Sequence, residues 1–152
     1  MSYDLSKPLV IGISSRALFN LEQENKIFEE QGVEAYEAYQ VAHENEILQK
    51  GAAFQLIKAF LELNNTELGR LVEVIIMSRN NANTCLRIFN SIQYYGLDIT
   101  RATLTSGAEI APYLKAFKTD LFLSANSVDV QSAINDGIAA GLILTGAAHA
   151  DA

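Results

Sequence analysis

The side chains equipped for chemistry fall in short clusters that each follow an apolar run: Ser14, Ser15 and Arg16; Ser78, Arg79, Asn80 and Asn81; Thr105, Ser106 and Gly107; Ser124, Ala125 and Asn126. Two arginines among hydroxyls, amides and free helix N-terminal N–H groups can hold a phosphate or sulfate by charge-assisted hydrogen bonds. The same residue types also cap helices and form turns, with arginines reaching solvent. On residues alone both readings stand. A serine nucleophile at Ser14 or Ser15 would need a histidine or lysine base, whereas His43 lies in a polar stretch and His149 in the tail. A metal site needs several converging oxygen ligands. The acids of this chain lie mainly within residues 22–46, with Asp98, Asp120, Asp129 and Asp136 elsewhere, and read as solvated charges. No catalytic residue and no metal ligand is therefore expected. The single cysteine, Cys85, has no disulfide partner or metal-ligand spacing and reads as a small core residue.

With 152 residues and 49% hydrophobic content, the chain is expected to form one globular domain over residues 1–146, followed by a flexible Gly/Ala-rich tail at 147–152. A formal net charge of −7 and a pI near 4.7 disfavour nucleic acid and anionic membrane surfaces as partners. The N-terminus "MSYDLSKPLV" lacks both a basic and an apolar targeting region. No apolar run approaches the roughly 18 residues of a membrane span. A cytoplasmic location is expected. Neither G-x-G-x-x-G nor a Walker A sequence is present, which sets aside dinucleotide and P-loop chemistry.

The elements that must position these clusters alternate in type. "PLVIGI" (8–13) is continuous and β-branched, as a parallel strand covered on both faces should be, and it is expected to be central. Residues 21–43 turn helical and acidic, with Ile27, Phe28, Val33, Tyr36 and Tyr39 as inward positions and a break at Gly32. "GAAFQLIKAFLELN" (51–64) is an amphipathic helix with Phe54, Ile57, Leu61 and Leu56, Phe60, Leu63 at helical spacing, stopped by Asn64 and Asn65. "LVEVIIM" (71–77) is a strand. Residues 81–96 form a helix with Leu86, Ile88, Phe89 and Ile92 inward and Gly96 as its stop. The alternation continues with a strand at "RATLTS", a helix at "EIAPYLKAF" interrupted near Pro112, a strand at "DLFLSA", a helix capped by Ser127, and a last strand at "GIAAGLIL". About five strands with intervening helices predict an α/β, three-layer Rossmann-like sandwich with a mostly parallel sheet. In such sheets ligands bind outside the carboxyl ends of the strands, where the polar clusters fall.

The segments "ISSRALFNLEQENKIFEEQGVEAYEAYQ", "IIMSRNNANTCLRIFNSIQYYGLDI" and "YLKAFKTDLFLSANSVDVQSAINDGIAAGLI" closely resemble the amino-terminal half of the cytosolic 5′-nucleotidase type I family. The resemblance covers residues 9–145. It implies a haloacid-dehalogenase-like (HAD-like) fold and kinship with Mg²⁺-dependent phosphatases that act on nucleoside monophosphates through an aspartyl-phosphate. It also implies that the acidic motifs belong to a second half, expected to begin where this chain ends. Matching the halves through Leu18 and Phe19 puts Ile13 at the nucleophile position and Ser15 at the acid/base position. The phosphate-binding hydroxyl falls on Met77, with Ser78 beside it and Arg79 matching an arginine. The helix lysine falls on Ile110, with Lys115 one and a half turns later, and the metal-binding Asp-Asp pair falls on Ser124 and Ala125. "SSRALF" thus resembles a phosphatase motif without its acids, and Mg²⁺ is not expected to bind this chain alone.

The favoured reading is a catalytically silent nucleotidase-like domain that packs on or regulates a catalytic half, or self-associates through the acidic helices of residues 21–43. A nucleotide- or phosphate-binding module using Ser14, Ser15, Arg16, Ser78, Arg79, Asn80, Asn81, Lys115, Ser124 and Asn126 is the first alternative. An active Mg²⁺-dependent nucleotidase completed by a partner chain is the second. The aromatics Phe28, Tyr36 and Tyr39 suit either a partner surface or a cover over the domain's own sheet.

Overall fold

The computed structural model describes residues 7–80, 85–99 and 101–145. The start of the helix expected from residue 81, including Asn81, and the tail at 147–152 with His149 lie outside the described residues.

All strand pairings are parallel. The strands β1 (Leu9–Ile13), β2 (Val72–Ser78), β3 (Arg101–Leu104), β4 (Leu121–Ser124) and β5 (Ala139–Leu142) form one five-stranded sheet of order β3-β2-β1-β4-β5. β1 is central, as its unbroken apolar run requires. It pairs Ile11 with Val74 on one side and with Leu121 on the other. Strand side chains alternate between the faces, so the sheet builds two cores. Ile11, Ile13, Val74 and Ile76 pack with α4 (Phe54–Glu62) and α5 (Leu86–Tyr94). Ile75, Met77 and Phe122 pack with α6 (Ala111–Ala116) and α7 (Ser127–Asn135) on the opposite face. The result is the expected three-layer sandwich.

Between β1 and α4 the chain forms a short helix, α1 (Ser15–Leu18), and a helical hairpin, α2 (Glu22–Gln31) and α3 (Val33–Ala42). Gly32 breaks the pair where expected, at φ 92°, a left-handed angle that L side chains rarely adopt. The 51–64 helix begins later than its sequence pattern suggests. Residues 51–53 instead run against α1: Gly51 N–H donates to Leu18 O at 2.9 Å, and Ala53 N–H to Ala17 O at 2.8 Å. This backbone pairing holds them out of the helix.

Other expectations need correction. Pro112 starts α6 rather than interrupting it, because a first-turn residue needs no N–H partner within the helix. α7 is capped by Asn126, not Ser127: Asn126 Oδ1 accepts from the N–H groups of Val128 and Asp129. In α4, Phe54, Ile57 and Leu61 are buried, while Leu56, and Leu63 just beyond the helix, face solvent because one sheet face covers only one stripe. In α5, Leu86 and Phe89 point outward and Arg87 and Ser91 inward. Ser91 Oγ accepts from Leu48 N–H and donates to Arg87 O, and Arg87 turns in toward Glu24. This carboxylate, expected to be solvated, is 4% exposed and meets Arg87 Nη1 at 2.6 Å.

Candidate functional site

The order of strands reverses at β1, whose two neighbours β2 and β4 leave the chain in opposite directions across the sheet. A crevice at the carboxyl ends follows from that topology. Here it is a cleft of about 490 Å³ with two chemically distinct sides. Its floor is made of strand ends: Ser14 and Ser15 after β1, Ser78 to Asn80 at the end of β2, and Ser124 and Asn126 at the end of β4. Its opposite wall is apolar and aromatic, from Leu21, Phe28, Val33 and Tyr36 of the helical hairpin.

The floor is held together by its own hydroxyls. Ser14 Oγ accepts from the N–H groups of Ala17 and Ala125, both at 3.2 Å, joining the turn after β1 to the turn after β4. Ser78 Oγ accepts from Asn80 N–H at 3.0 Å, and Ser124 Oγ from Asn126 N–H at 3.0 Å. These short side chains mimic a backbone turn, which is why hydroxyl residues end these strands. Gly107 N–H donates to Arg79 O at 2.7 Å and Ser106 N–H to Asn80 O at 3.3 Å, bringing the loop after β3 to the same rim.

Arg79 makes a two-pronged pair with Asp129 of α7: Nε lies 3.2 Å from Oδ2, and Nη2 contacts Oδ1. Asp129 is 6% exposed, which corrects the expectation of a solvated acid, and the hydrogen bond to it raises the Arg79 pKa further. Arg16 is held more loosely. Its Nη2 lies 3.5 Å from both Glu22 Oε1 and Thr145 Oγ1, and its buried Nε has no hydrogen-bond partner.

The hairpin wall is fixed by a polar chain. Tyr36 Oη donates to Asn80 Oδ1 at 2.9 Å and accepts from Gln40 Nε2 at 3.4 Å. Gln40 Oε1 accepts in turn from Arg87 Nη1 at 3.2 Å, and Arg87 pairs with Glu24 of α2. α2, α3, α5 and the turn after β2 are thus linked through one hydrogen-bonded network. Tyr36 and Phe28 meet edge to face with ring centroids 5.8 Å apart. Tyr39 instead stacks on His43, away from the cleft lining.

Of the residues singled out by sequence, the cleft brings together Ser14, Ser15, Arg16, Ser78, Arg79, Asn80, Ser124 and Asn126. Lys115 is exposed in the last turn of α6 and takes no part in the lining, while Ile110 at the other end of that helix does. Asn81 lies outside the described residues. Sequence reasoning missed Asp129, Tyr36's bond to Asn80, Asn25 and Glu37. The Asn126–Asp129 spacing at a helix start was the one visible signal, and it indicates a helix terminus rather than an arginine partner 50 residues away.

Cys85, 1% exposed, packs in the core beneath this rim, and burial pushes its thiol up to about 11. Burial also raises the Tyr36 phenol. Both groups hold their proton more tightly folded than unfolded, so that stability is fully present below the unfolded values and is lost as pH rises through the folded ones. Stability should fall between about pH 9 and about pH 11. Cys85→Ala should flatten part of that slope. Urea midpoints across the range test this, and identical slopes in both proteins would disprove the thiol's share.

The fold and the cleft define a Rossmann-like α/β domain with a ligand-sized crevice at the carboxyl edge of its sheet. The family model for 5′-nucleotidase matches residues 1–152, and the chain belongs to that family. It is 40% identical over 146 residues to human cytosolic 5′-nucleotidase 1B, an alignment covering 91% of this chain and 24% of that protein. The chain thus spans about a quarter of the curated relative's length. No solved structure matches it. No helix among the described residues is long and apolar enough to cross a membrane.

Proposed function

We propose that this chain is a catalytically silent unit of a 5′-nucleotidase, which packs on or regulates a catalytic unit and transfers no phosphate itself. The carrying observation is the chemistry of the strand ends. Phosphoryl transfer through an aspartyl-phosphate needs a carboxylate nucleophile, a second carboxylate as acid/base and acids for Mg²⁺. The cleft floor offers Ser14 and Ser15 after β1 and Ser124 and Asn126 after β4. The buried carboxylate beside it, Asp129, has both oxygens engaged by Arg79.

Mg²⁺ does not fit this donor set. It demands near-octahedral oxygen ligation and uses carboxylates to obtain it. The hydroxyl oxygens of Ser14, Ser78 and Ser124 already accept from backbone N–H groups, and among the described residues no three His, Cys, Asp or Glu side chains converge.

The purified chain, given nucleoside 5′-monophosphates and Mg²⁺, is expected to release no phosphate above the protein-free rate and to show no saturable Mg²⁺ binding. Turnover abolished by a floor variant such as Ser15→Ala would overturn the silent reading. A catalytic 5′-nucleotidase unit is expected to co-elute with this chain or to change its kcat/KM in its presence. Neither effect at micromolar concentrations would overturn the partner role.

A further inference from the structure

We infer that the outer edge of β5 is a self-association surface: a second copy of this chain pairs with it antiparallel, joining two sheets into one about a two-fold axis at Gly141.

A sheet edge presents a row of main-chain N–H and C=O groups, and folded proteins guard such rows with charge, proline or a bulge. The two edges of this sheet differ. β3 carries Arg101, whose Nε lies 2.6 Å from Glu73 Oε2 of β2. β5 has no such guard. From Gly137 to Ala150 the sequence contains no Asp, Glu, Lys, Arg or Pro, and the register of β5 on β4 runs without a bulge from Leu121–Ala139 to Ser124–Leu142. Ile143 N–H extends the pairing by donating to Ser124 O at 2.8 Å. Alternate residues of a parallel strand turn both main-chain groups to the same side. Ala139, Gly141 and Ile143 therefore face β4, and Ala140 and Leu142 face outward, where β5 has no second neighbour among the described residues. Leu142 is 44% exposed.

The edge's own sequence selects its occupant. Hydrogen-bonded antiparallel partners must both turn their groups outward, so Ala140 pairs with Leu142 of the second copy and Leu142 with its Ala140. The axis then falls where Gly141 meets its own counterpart, a non-hydrogen-bonded pair with Cα atoms about 4.5 Å apart, where the missing side chain leaves room. Ala139 stands opposite Ile143. Each large side chain meets a small one on both faces of the joined sheet, the self-complementarity that an isologous interface requires.

The neighbouring helix points the same way. α7 packs on β4 and β5, and its Asp129 reaches back across the sheet to Arg79. Ile134 lies about 140° around the helix from Asp129, on the flank toward the β5 edge, and is 48% exposed. The two-fold axis brings both α7 helices to one face, where these flanks meet. The acidic hairpin suits a second copy less well, because Glu29, Glu30 and Glu34 are exposed there against Lys26 and like charges repel.

Sedimentation equilibrium of the full chain from micromolar to millimolar concentration is expected to show reversible dimerisation. Leu142→Lys, at an exposed position, should keep the melting temperature of the dilute chain and weaken the dimer by about ten-fold or more, since it sets two ammonium groups diagonally across the axis. Gly141→Cys should cross-link to its copy with oxidised glutathione as oxidant, because a disulfide spans Cα separations of about 4.4–6.8 Å. A Cβ at that position meets only Leu123 Cδ2, at 3.3 Å, a side chain that can yield. Ala139→Cys, on the same face but away from the axis, should not cross-link, and the buried Cys85 should stay reduced. A monomer at every concentration, a dimer that Leu142→Lys leaves intact, or equal cross-linking at positions 139 and 141 would each overturn the inference. If the chain stays monomeric while Leu142→Lys abolishes co-elution of a catalytic unit, the edge belongs to that unit and self-pairing is overturned.

Discussion

Arg87→Ala is expected to destabilise the domain by about 3–5 kcal/mol, the usual effect of removing one partner from a buried ion pair. For a chain of this length that corresponds to a fall in Tm of roughly 6–20 °C. The Arg87 and Glu24 side chains are 8% and 5% exposed and meet at 2.6 Å. Arg87 also donates through Nη1 to Gln40 Oε1 and through Nε to Glu46 O at 2.9 Å. Truncation leaves the Glu24 carboxylate and the Gln40 oxygen in the interior without their donor. The pair itself adds little net stability, because desolvation offsets most of its attraction. Arg87→Met combined with Glu24→Leu should therefore recover most of the loss. Urea unfolding of the single and double variants checks both statements. A single-variant loss below about 1 kcal/mol, the scale of an exposed pair, would show that Glu24 is not buried in solution.

Gly51→Ala is expected to be nearly as severe, about 3 kcal/mol or more, at the upper end of overpacking. A Cβ on Gly51 would stand 2.6 Å from Phe19 C, 2.7 Å from Phe19 N and 2.8 Å from Leu18 C. Those neighbours are backbone, with no rotamer to yield. Relief would require parting residues 49–53 from 17–20, a contact made by Asn20 N–H to Gln49 O at 2.9 Å and by the Phe19–Lys50 bridge. The same contact braces the turn that presents Ser14 and Ser15 to the cleft. Thermal denaturation compared with Gly32→Ala isolates the steric term, since a Cβ on Gly32 meets nothing within 4 Å and brings only the backbone strain of its left-handed angle. A Gly51→Ala protein melting with the parent would rule out the close approach.

Pattern alone gave most of the architecture. The strands expected at 8–13, 71–77 and 120–125, the break at Gly32 and the central place of β1 follow from apolar runs and one glycine, because two-faced burial leaves a period in the chain. The polar clusters at strand ends were legible for the same reason: they mark where apolar runs stop. Sequence could not tell which faces of α4 and α5 were turned inward, since Leu56, Phe89 and Leu86 fit an apolar stripe as well as their buried neighbours do.

The sequence by itself determined the α/β class, the order in which strands and helices alternate, and the family, whose likeness rests on residues spread through the whole chain. Only the tertiary structure decided what the strand-end residues face. Arg79 meets Asp129 across 50 residues and Tyr36 meets Asn80 across 44. Such pairings leave no local period or propensity behind. They exist because parallel crossovers bring distant turns to one edge of the sheet, where charge and hydrogen-bond partners are set by proximity in space.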